Sequence, residues 1–316
     1  MTRREDPRPG QVLVDAPAKL NFGLEVLGRR PDGYHELVTI FQSISLFDRI
    51  EITVSGPPSE PGVRLEVLPR SLDLGPVSGN LAFRAAEALL DDEGLTGTVG
   101  VDLRLRKRIP AGAGLGGGSA DAAAVLVGLT EALKLSRTPD SLLGLGRQLG
   151  ADVPFCLFGG TRLGQGVGEI LTEVPPIPPS WWVVVFPNVS VPTSSIFSVL
   201  SFGLTPPGPL ARIARRKFAP DIWTDLADLG IRNDLESAVL VAAPVVGDVL
   251  EELRTLGSPF AQVTGSGSAV YGRVSDRETG RNWVRVLKRR GWWARLVRPT
   301  RHGCRLLNPR TGQPFE

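Results

Sequence analysis

The most constraining feature of the sequence is a glycine-rich stretch between two segments of clear periodicity. Residues 110–118, PAGAGLGGG, contain five glycines and no side chain that could act as an acid or base. The preceding segment, GTVGVDLRLRKRIP, alternates apolar and polar residues and predicts a strand. The following segment, SADAAAVLVGLTEALKL, predicts a helix with Ser119 as its N-cap. A phosphate-binding loop, a dinucleotide-binding turn and a flexible linker are the competing interpretations.

The surroundings of the loop favour phosphate binding. The first turn of a helix has unpaired N–H groups and a positive dipole end, and glycine lets a phosphate oxygen approach the backbone. A linker would not join a patterned strand to a strong helix. The spacing Gly112, Gly114, Gly117 fits the dinucleotide fingerprint, but the second strand and its acidic residue about 20 positions on are missing. The lysine of a Walker loop is missing too. A phosphate loop of a third kind remains.

Length and composition limit the class of protein. A chain of 316 residues suits two domains, and 42% hydrophobic with 22% charged residues is ordinary for a globular protein. Two cysteines cannot form a disulfide framework, and no Cys/His spacing indicates zinc, so we expect a cytoplasmic protein without a metal cluster. The polar first ten residues predict a short leader and no signal peptide. No segment has the apolar length of a membrane span.

The basic residues are unevenly distributed. Residues 281–301 contain eight Lys/Arg and no acid, which leaves 28 basic against 33 acidic residues elsewhere. With Trp292 and Trp293, this segment could belong to an RNA-binding module. An amphipathic helix followed by a strand with solvated arginines explains it more simply. We therefore expect no nucleic-acid partner and assign no role to His302.

The pattern of elements predicts an α+β fold with two domains. The N-terminal third is rich in alternating segments, and residues 11–28 predict two strands around a turn at Pro17. NLAFRAAEALLDDEG predicts a helix capped by Asn80. The proline-rich EVPPIPPSWW predicts a hinge, so we place the domains at residues 1–172 and 173–316.

Several polar residues in these patterns have an ordinary structural interpretation. Asp152, two residues before a proline, suits a helix cap or a turn. Lys19 suits a solvated strand lysine, and Tyr34-His35 suits a loop that enters a strand. The TGSG segment at 264–267 suits a turn between strands. The sequence pattern alone does not decide between these structural roles and a role in binding or catalysis. The two histidines and the absence of Gly-x-Ser-x-Gly around Ser119 make a serine hydrolase improbable.

Three motifs resemble the GHMP kinase superfamily. PAGAGLGGGSA resembles its ATP loop, in which a proline, a Gly-Leu pair and a Ser-Ser/Ala end surround the triphosphate. APAKLNFGLEVLGRRPDGYHEL and LGADVPFCLFGGTRLGQGVGE resemble the branch that makes isoprenoid precursors without mevalonate, and TGSGSAVYG resembles the third superfamily motif. The resemblance implies an ATP-binding N-terminal domain with the ribosomal-protein-S5-like fold and a ferredoxin-like substrate domain at the C-terminus.

The resemblance also implies the reaction and its residues. It implies transfer of phosphate from ATP, with Mg²⁺, to the 2-hydroxyl of a small-molecule substrate, diphosphocytidyl methylerythritol. Asp152 falls on the catalytic base and Lys19 beside it, and Asn21 would orient the pair. The residues implied to bind ATP are Pro110, Ala111, Gly112, Ala113, Gly114, Leu115, Gly116, Gly117, Gly118, Ser119 and Ala120.

The implied substrate site lies around a cytosine base. By resemblance, Tyr34 stacks on the base, Phe197 forms the other half of the stack, and His35 hydrogen-bonds its edge. Gly265 and Gly267 would lie against the phosphate side of the cleft. A GHMP kinase for another alcohol, such as homoserine or mevalonate, is the alternative, but it would give these aromatic residues no purpose.

Overall fold

The computed structural model of the chain describes residues 10–55, 62–200, 208–214 and 230–314. Residues 1–9 of the predicted leader lie outside these ranges. Within them, strands and helices alternate irregularly along the chain and form two separate sheets, so the predicted α+β class is confirmed. No helix in the described ranges combines the length and the apolar character that a membrane crossing requires.

Eleven strands are present in the described ranges. They are β1 (Gln11–Arg29), β2 (His35–Ser55), β3 (Gly62–Leu68), β4 (Gly100–Arg106), β5 (Thr161–Gly166), β6 (Ile170–Glu173), β7 (Trp181–Phe186), β8 (Ala261–Val263), β9 (Val270–Val274), β10 (Trp293–Val297) and β11 (Arg305–Leu307). The first sheet has the order β11-β1-β2-β4-β3, and β5 and β6 extend it beside the first half of β2. The second sheet is antiparallel, with the order β10-β7-β9-β8.

Nine α-helices and one 3₁₀ turn (Val77–Gly79) occur in the same ranges. The helices are α1 (Leu81–Asp92), α2 (Gly117–Ala132), α3 (Leu143–Leu149), α4 (Val153–Phe158), α5 (Thr193–Ser198), α6 (Pro209–Ile213), α7 (Glu236–Ala242), α8 (Val245–Thr255) and α9 (Arg277–Arg289). The predicted cap of α1 is confirmed, because the Asn80 side chain accepts a hydrogen bond from the N–H of Ala82 at 2.9 Å. The basic segment forms α9 and β10, as its pattern indicates.

The prediction of two strands around Pro17 is wrong. A single strand, β1, runs through the proline, with shifts of register against β2 between Pro17 and Lys19 and again between Asn21 and Leu24. Pro17 is the last residue paired before the first shift, opposite Phe47, and proline is tolerated beside a bulge, where the regular run of ladder hydrogen bonds is already interrupted. The irregularity also frees the N–H of Lys19 from β2, and it donates instead to the carbonyl of Leu115 at 3.0 Å. The bulge therefore joins β1 to the glycine loop.

The two sheets share a buried core. Side chains alternate along β7, so Val183 and Val185 pack with α8 and α9, while Trp182 faces the first sheet. There the centre of its ring lies 4.8 Å from that of Phe22 on β1, and the ring centre of Tyr271 lies 5.1 Å from that of Phe22. The division at residues 172 and 173 stays a prediction. The second sheet begins after that point, whereas β11 returns to pair with β1.

Candidate active site

The glycine loop takes a backbone path that only glycine adopts without strain. Gly112, Gly114 and Gly116 have φ of +65°, +76° and +68°. A Cβ atom on Gly114 would lie 2.6 Å from the carbonyl oxygen of Thr264 and 2.8 Å from that of Gly267. The loop therefore packs backbone to backbone against the turn that carries the third motif.

Helix α2 begins earlier than its sequence suggests, and the predicted N-cap Ser119 is wrong. The cap is Gly116, and the helix starts at Gly117. A left-handed glycine turns the chain into the helix without help from a side chain, and no side chain caps this end. The N–H groups of the first turn, from Gly117 to Ser119, consequently point out of the helix into the loop. This is the arrangement that favours an anion.

Lys19 lies buried beside the loop and holds two partners from different elements. Its side chain is only 6% exposed. The ammonium donates to Oδ1 of Asn21 at 2.6 Å, and its nitrogen lies 3.3 Å from Oδ2 of Asp152. It also lies 5.5 Å from the ring centre of Phe41. The solvated-lysine interpretation is therefore contradicted, and Lys19 is a fixed positive charge at the base of the cleft.

Asp152 occupies the N-cap position of α4 but does not act as a cap. Its side chain makes no hydrogen bond to the first turn of that helix. The carboxylate is 29% exposed, so it is open to the cleft on one side and paired with Lys19 on the other. Helix α4 therefore fixes the position of the residue, while the carboxylate remains accessible to a ligand.

The turn of the third motif supports the Lys19–Asn21 pair. The N–H of Asn21 donates to the hydroxyl of Thr264 at 2.9 Å. A Cβ on Gly265 would lie 2.9 Å from Oδ1 of Asn21 and 3.3 Å from Nζ of Lys19, so a larger residue there would displace the Lys19–Asn21 pair. The side-chain amide of Asn233 donates to the Gly265 carbonyl at 2.7 Å and thereby holds this turn in place. The segment is thus more than a simple connection between β8 and β9.

Three charged residues contact the loop although the sequence patterns predict no role for them. Lys107, just before the loop, lies 2.5 Å from Oδ2 of Asp48 and 2.6 Å from Oδ2 of Asp121, and all three side chains are at most 4% exposed. Asp48 also accepts a hydrogen bond from the N–H of Ile109 at 2.9 Å. The signal in the sequence was weak: Asp48 interrupts an apolar strand, and Asp121 lies in an alanine-rich helix. The network fixes both ends of the loop.

The balance of charge in this network is uneven. One ammonium faces two carboxylates, and burial disfavours a second negative charge. Burial, together with the negative charge of Asp48, raises the pKa of Asp121 to about 8, although Lys107 opposes this shift. The same two carboxylates raise the pKa of Lys107 above its ordinary value. Oδ1 of Asp121 is buried without a hydrogen-bond partner among the described residues.

These residues line one cleft with a volume of about 530 Å³. It contains Lys19, Asn21, Asp152, Gly265 and the whole stretch 110–119. The structure therefore brings together the predicted catalytic pair, the loop and the third motif, which lie far apart in the sequence.

A second cavity of about 620 Å³ adjoins the cleft and contains the predicted base-binding residues. Tyr34, His35 and Phe197 all line it, and Phe197 also lines the first cleft. The imidazole of His35 stacks on the Phe197 ring, with ring centres 5.0 Å apart. Tyr34 is 66% exposed as a residue. The three predicted residues thus lie together, and the imidazole itself covers one face of Phe197.

Neither a metal cluster nor a reactive thiol is visible near the loop. The described residues contain no group of three or more His, Cys, Asp or Glu side chains that could hold a metal ion. Cys156 in α4 is buried, as predicted, and burial raises the pKa of its thiol well above the ordinary value. Such a thiol is protonated and unreactive near neutral pH.

The fold and the cleft together define a kinase of the GHMP class. Residues 80–160 match the family described as GHMP kinases N terminal domain. A crystal structure of homoserine kinase from Cytophaga hutchinsonii superposes with a TM-score of 0.72 at 18% identity, over 97% of this chain and 100% of that one. At this identity, the likeness concerns the fold.

Closer relatives identify the family within this class. The 4-diphosphocytidyl-2-C-methyl-D-erythritol kinase of Citrifermentans bemidjiense is 42% identical over 287 residues, which cover 90% of this chain and 97% of the relative. A crystal structure of 4-(cytidine 5'-diphospho)-2C-methyl-D-erythritol kinase is 36% identical, covers 91% of this chain and 98% of its own, and has a TM-score of 0.71. This chain belongs to the 4-diphosphocytidyl-2-C-methyl-D-erythritol kinase family.

Proposed function

We propose that this chain transfers the γ-phosphoryl group of ATP to the 2-hydroxyl of 4-diphosphocytidyl-2-C-methyl-D-erythritol, a step of isoprenoid precursor synthesis by the non-mevalonate route. The full-length similarity to kinases of that name supports the reaction. The observation that carries the proposal is the Lys19–Asp152 pair, 3.3 Å apart, in the same cleft as the glycine loop.

Asp152 acts as the general base in this proposal. Its exposed oxygen accepts the proton of the substrate hydroxyl as the hydroxyl oxygen forms its bond to the γ-phosphorus. The bond between that phosphorus and the β,γ-bridging oxygen then breaks, and ADP leaves. Lys19 lies beside the position where negative charge grows on the attacking oxygen, and Asn21 holds the ammonium there. A fixed buried charge stabilises that oxygen without reorganisation.

The glycine loop holds the phosphates in this proposal. The free N–H groups from Gly117 to Ser119 and the positive end of α2 face the cleft. Mg²⁺ prefers oxygen ligands and keeps several waters. The hydroxyl of Ser119 and, once a nearby cation favours its ionised form, the unpartnered Oδ1 of Asp121 are oxygen donors of that kind, and both residues line the cleft. They would hold the ion, which supplies positive charge against the phosphates.

The adjoining cavity receives the cytosine in this proposal. Tyr34 has an exposed ring available for stacking on a flat base. Phe197 would form the second face, which requires the imidazole of His35 to leave its present stack and turn toward the base edge. Stacking alone accepts any base, so the hydrogen bond from His35 would provide the selectivity.

We also propose a cytoplasmic enzyme without a nucleic-acid partner. The arginines of α9 lie on its exposed face, opposite the buried Trp283 and Leu287, as the simpler interpretation of the basic segment predicts. The thiols of Cys156 and Cys304 are both free, which agrees with a reducing compartment.

The decisive experiment measures ADP release with ATP and Mg²⁺ on three alcohols in parallel. We expect turnover on the diphosphocytidyl methylerythritol alone. Turnover on mevalonate or homoserine would support the phosphate-binding role of the glycine loop and contradict the proposed roles of Tyr34, His35 and Phe197. If folded protein shows no turnover on any of the three alcohols, the proposed kinase activity is contradicted. RNA binding with a steep dependence on salt would then be the next measurement.

A further inference from the structure

A third cavity lies apart from the site of the proposed reaction. It has a volume of about 990 Å³ and lies where the proline-rich segment 174–180 and the segment 298–302 pass over the first sheet. We call it the arginine cavity, after Arg162, Arg298, Arg301 and Arg305, which line it. Among the described residues, it shares no lining residue with the cleft of Lys19 or with the adjoining base cavity.

The arginine cavity and the catalytic cleft lie on opposite faces of β2. Successive side chains of a strand point to opposite faces, and here Phe41 lines the cleft while Gln42 lines the arginine cavity. Gln42 is buried and fully bonded: its amide donates to the carbonyls of Ser43 and Thr300 at 2.7 and 2.9 Å, and its Oε1 accepts from Thr161 at 2.6 Å. The floor of the cavity is therefore rigid and already formed.

The charge of the arginine cavity is unbalanced. Arg298 and Arg301 are exposed and form no ion pair with any described residue. Arg162 lies over the Phe158 ring at 4.8 Å, and its Nε donates to the Gly159 carbonyl; Glu173 is opposite it in the β5–β6 pair, but the two form no ion pair. Nη2 of Arg305 lies 3.6 Å from Oδ2 of Asp15, so this arginine has an acidic partner. The lining acid is Glu173. Several guanidinium groups around one cavity suit a phosphate, which accepts paired hydrogen bonds.

One wall of the arginine cavity is apolar and stiff. It is formed by Pro176, Pro178 and Pro179, with the half-buried Phe47 on the sheet side, whereas the ring of Trp181 at its edge packs toward α9, where Arg277 lies over it at 5.8 Å. Proline rings lose little conformational freedom on binding, so such a wall accepts an apolar group at low entropic cost. A free phosphate would use the arginines and leave this wall uncovered.

We propose that the arginine cavity is a second ligand site, which binds a phosphate or diphosphate ester with a short apolar body. The guanidinium groups of Arg298 and Arg301 hold the phosphate oxygens, and the wall of prolines and Phe47 covers the apolar body. This inference does not depend on the proposed reaction, because the cavity lies on the other face of β2.

The test is isothermal titration of the full chain at low ionic strength with two probes, inorganic pyrophosphate and n-pentyl diphosphate. A saturating non-hydrolysable ATP analogue occupies the glycine loop in both titrations. We expect one molecule of each probe per chain, with tighter binding of n-pentyl diphosphate. The double variant Arg298→Gln/Arg301→Gln should weaken both by about tenfold or more, since charge-assisted hydrogen bonds are lost.

The matched control is the double variant Arg281→Gln/Arg289→Gln. It removes the same charge from exposed positions of α9 that do not line the cavity. It should bind both probes as the unchanged protein does. An equal loss in both double variants would overturn the site in favour of unspecific attraction. Absence of binding beside the ATP analogue would overturn it as well, and equal affinities for the two probes would overturn the role of the apolar wall.

Discussion

The two ends of the catalytic cleft are built differently. At the phosphate end, Lys19 and Asn21 are buried, and they are held by hydrogen bonds to a strand, a helix start and a distant turn. At the base end, Tyr34 is 66% exposed, and His35 and Phe197 are half-buried and contact one another. The phosphate end is fixed before any ligand arrives, whereas the base end has room to rearrange.

This difference separates two tasks. Phosphoryl transfer depends on placing a base and a charge within a fraction of an ångström, which a rigid, buried network achieves. Recognition of a flat base tolerates adjustment, because stacking changes slowly with small displacements. We therefore expect changes at the phosphate end to lower kcat or stability, and changes at the base end to raise the substrate KM. Each variant described below tests whether the phosphate end and the base end of the cleft act independently in this way.

The largest effect should come from Asp152→Asn. An amide of the same shape cannot accept the proton, so turnover should fall about 10²- to 10⁴-fold, the usual contribution of a general base. The affinity for ATP should change little, because the glycine loop is untouched. ADP release and titration with an ATP analogue measure the two quantities. Asp140→Asn, at an exposed position, is the matched control and should retain full activity. Unchanged turnover in Asp152→Asn would remove the base assignment.

Gly114→Ala tests the rigidity of the phosphate end. Its Cβ would meet the carbonyl oxygens of Thr264 and Gly267, which belong to backbone and cannot turn away. Gly75→Ala is the control, because its φ of +77° almost equals the +76° of Gly114 and nothing lies within 4 Å of its Cβ. Both variants lose about 1–2 kcal/mol for the left-handed backbone.

The difference between these two variants isolates the contact with the turn. Overpacking should cost Gly114→Ala about 2 kcal/mol more in the free energy of unfolding. It should also weaken binding of the ATP analogue, which Gly75→Ala should leave intact. Urea unfolding and analogue titration measure both effects. Equal behaviour of the two variants would mean that the loop and the turn adjust freely.

Asp121→Asn tests the electrostatics of the same end. The pKa of Asp121 in the folded chain, about 8, lies above the value of about 3.9 in an unfolded chain. Between these values the folded carboxyl keeps a proton that the unfolded chain releases. The free energy of unfolding therefore falls as pH rises, by up to about 1.4 kcal/mol per unit, and this contribution is fully present only below the unfolded pKa.

The variant cannot titrate at this position and should lose that dependence. We expect the stability of the unchanged protein, relative to Asp121→Asn, to decline as pH rises from mildly acidic to neutral in urea unfolding series. A constant difference across that range would show that Asp121 is ionised throughout and that Lys107 balances both carboxylates.

Local signals predicted much of the fold and the loop. The cap at Asn80 and the glycine loop depend on neighbouring residues, so the sequence displays them directly. The same local reasoning failed at Ser119, because it assumed that a side chain must cap α2, while the left-handed Gly116 begins the helix. It failed at Pro17 because a bulge lets β1 continue past a proline.

Contacts between distant segments explain what the sequence did not show. Lys107, Asp48 and Asp121 come from three elements, and no spacing along the chain announces that they meet. The pairing of Lys19 with Asp152 has the same character, and only family resemblance placed the two together. Pairing of β11 with β1 joins the two ends of the described chain. Such long-range contacts follow from topology, which residue patterns specify poorly.

The smallest effect should come from Tyr34, at the exposed edge of the base cavity. Tyr34→Ala removes a stacking face, and for so exposed a ring we expect the low end of the usual range, about 1 kcal/mol, or a roughly fivefold rise in the substrate KM. Tyr34→Phe keeps the ring and should keep the KM. Because the base end does not position the reacting groups, kcat and the KM for ATP should be unchanged in both variants. A fall in kcat for Tyr34→Ala would show that base recognition and phosphoryl transfer are coupled, and that the two ends of the cleft act as one unit.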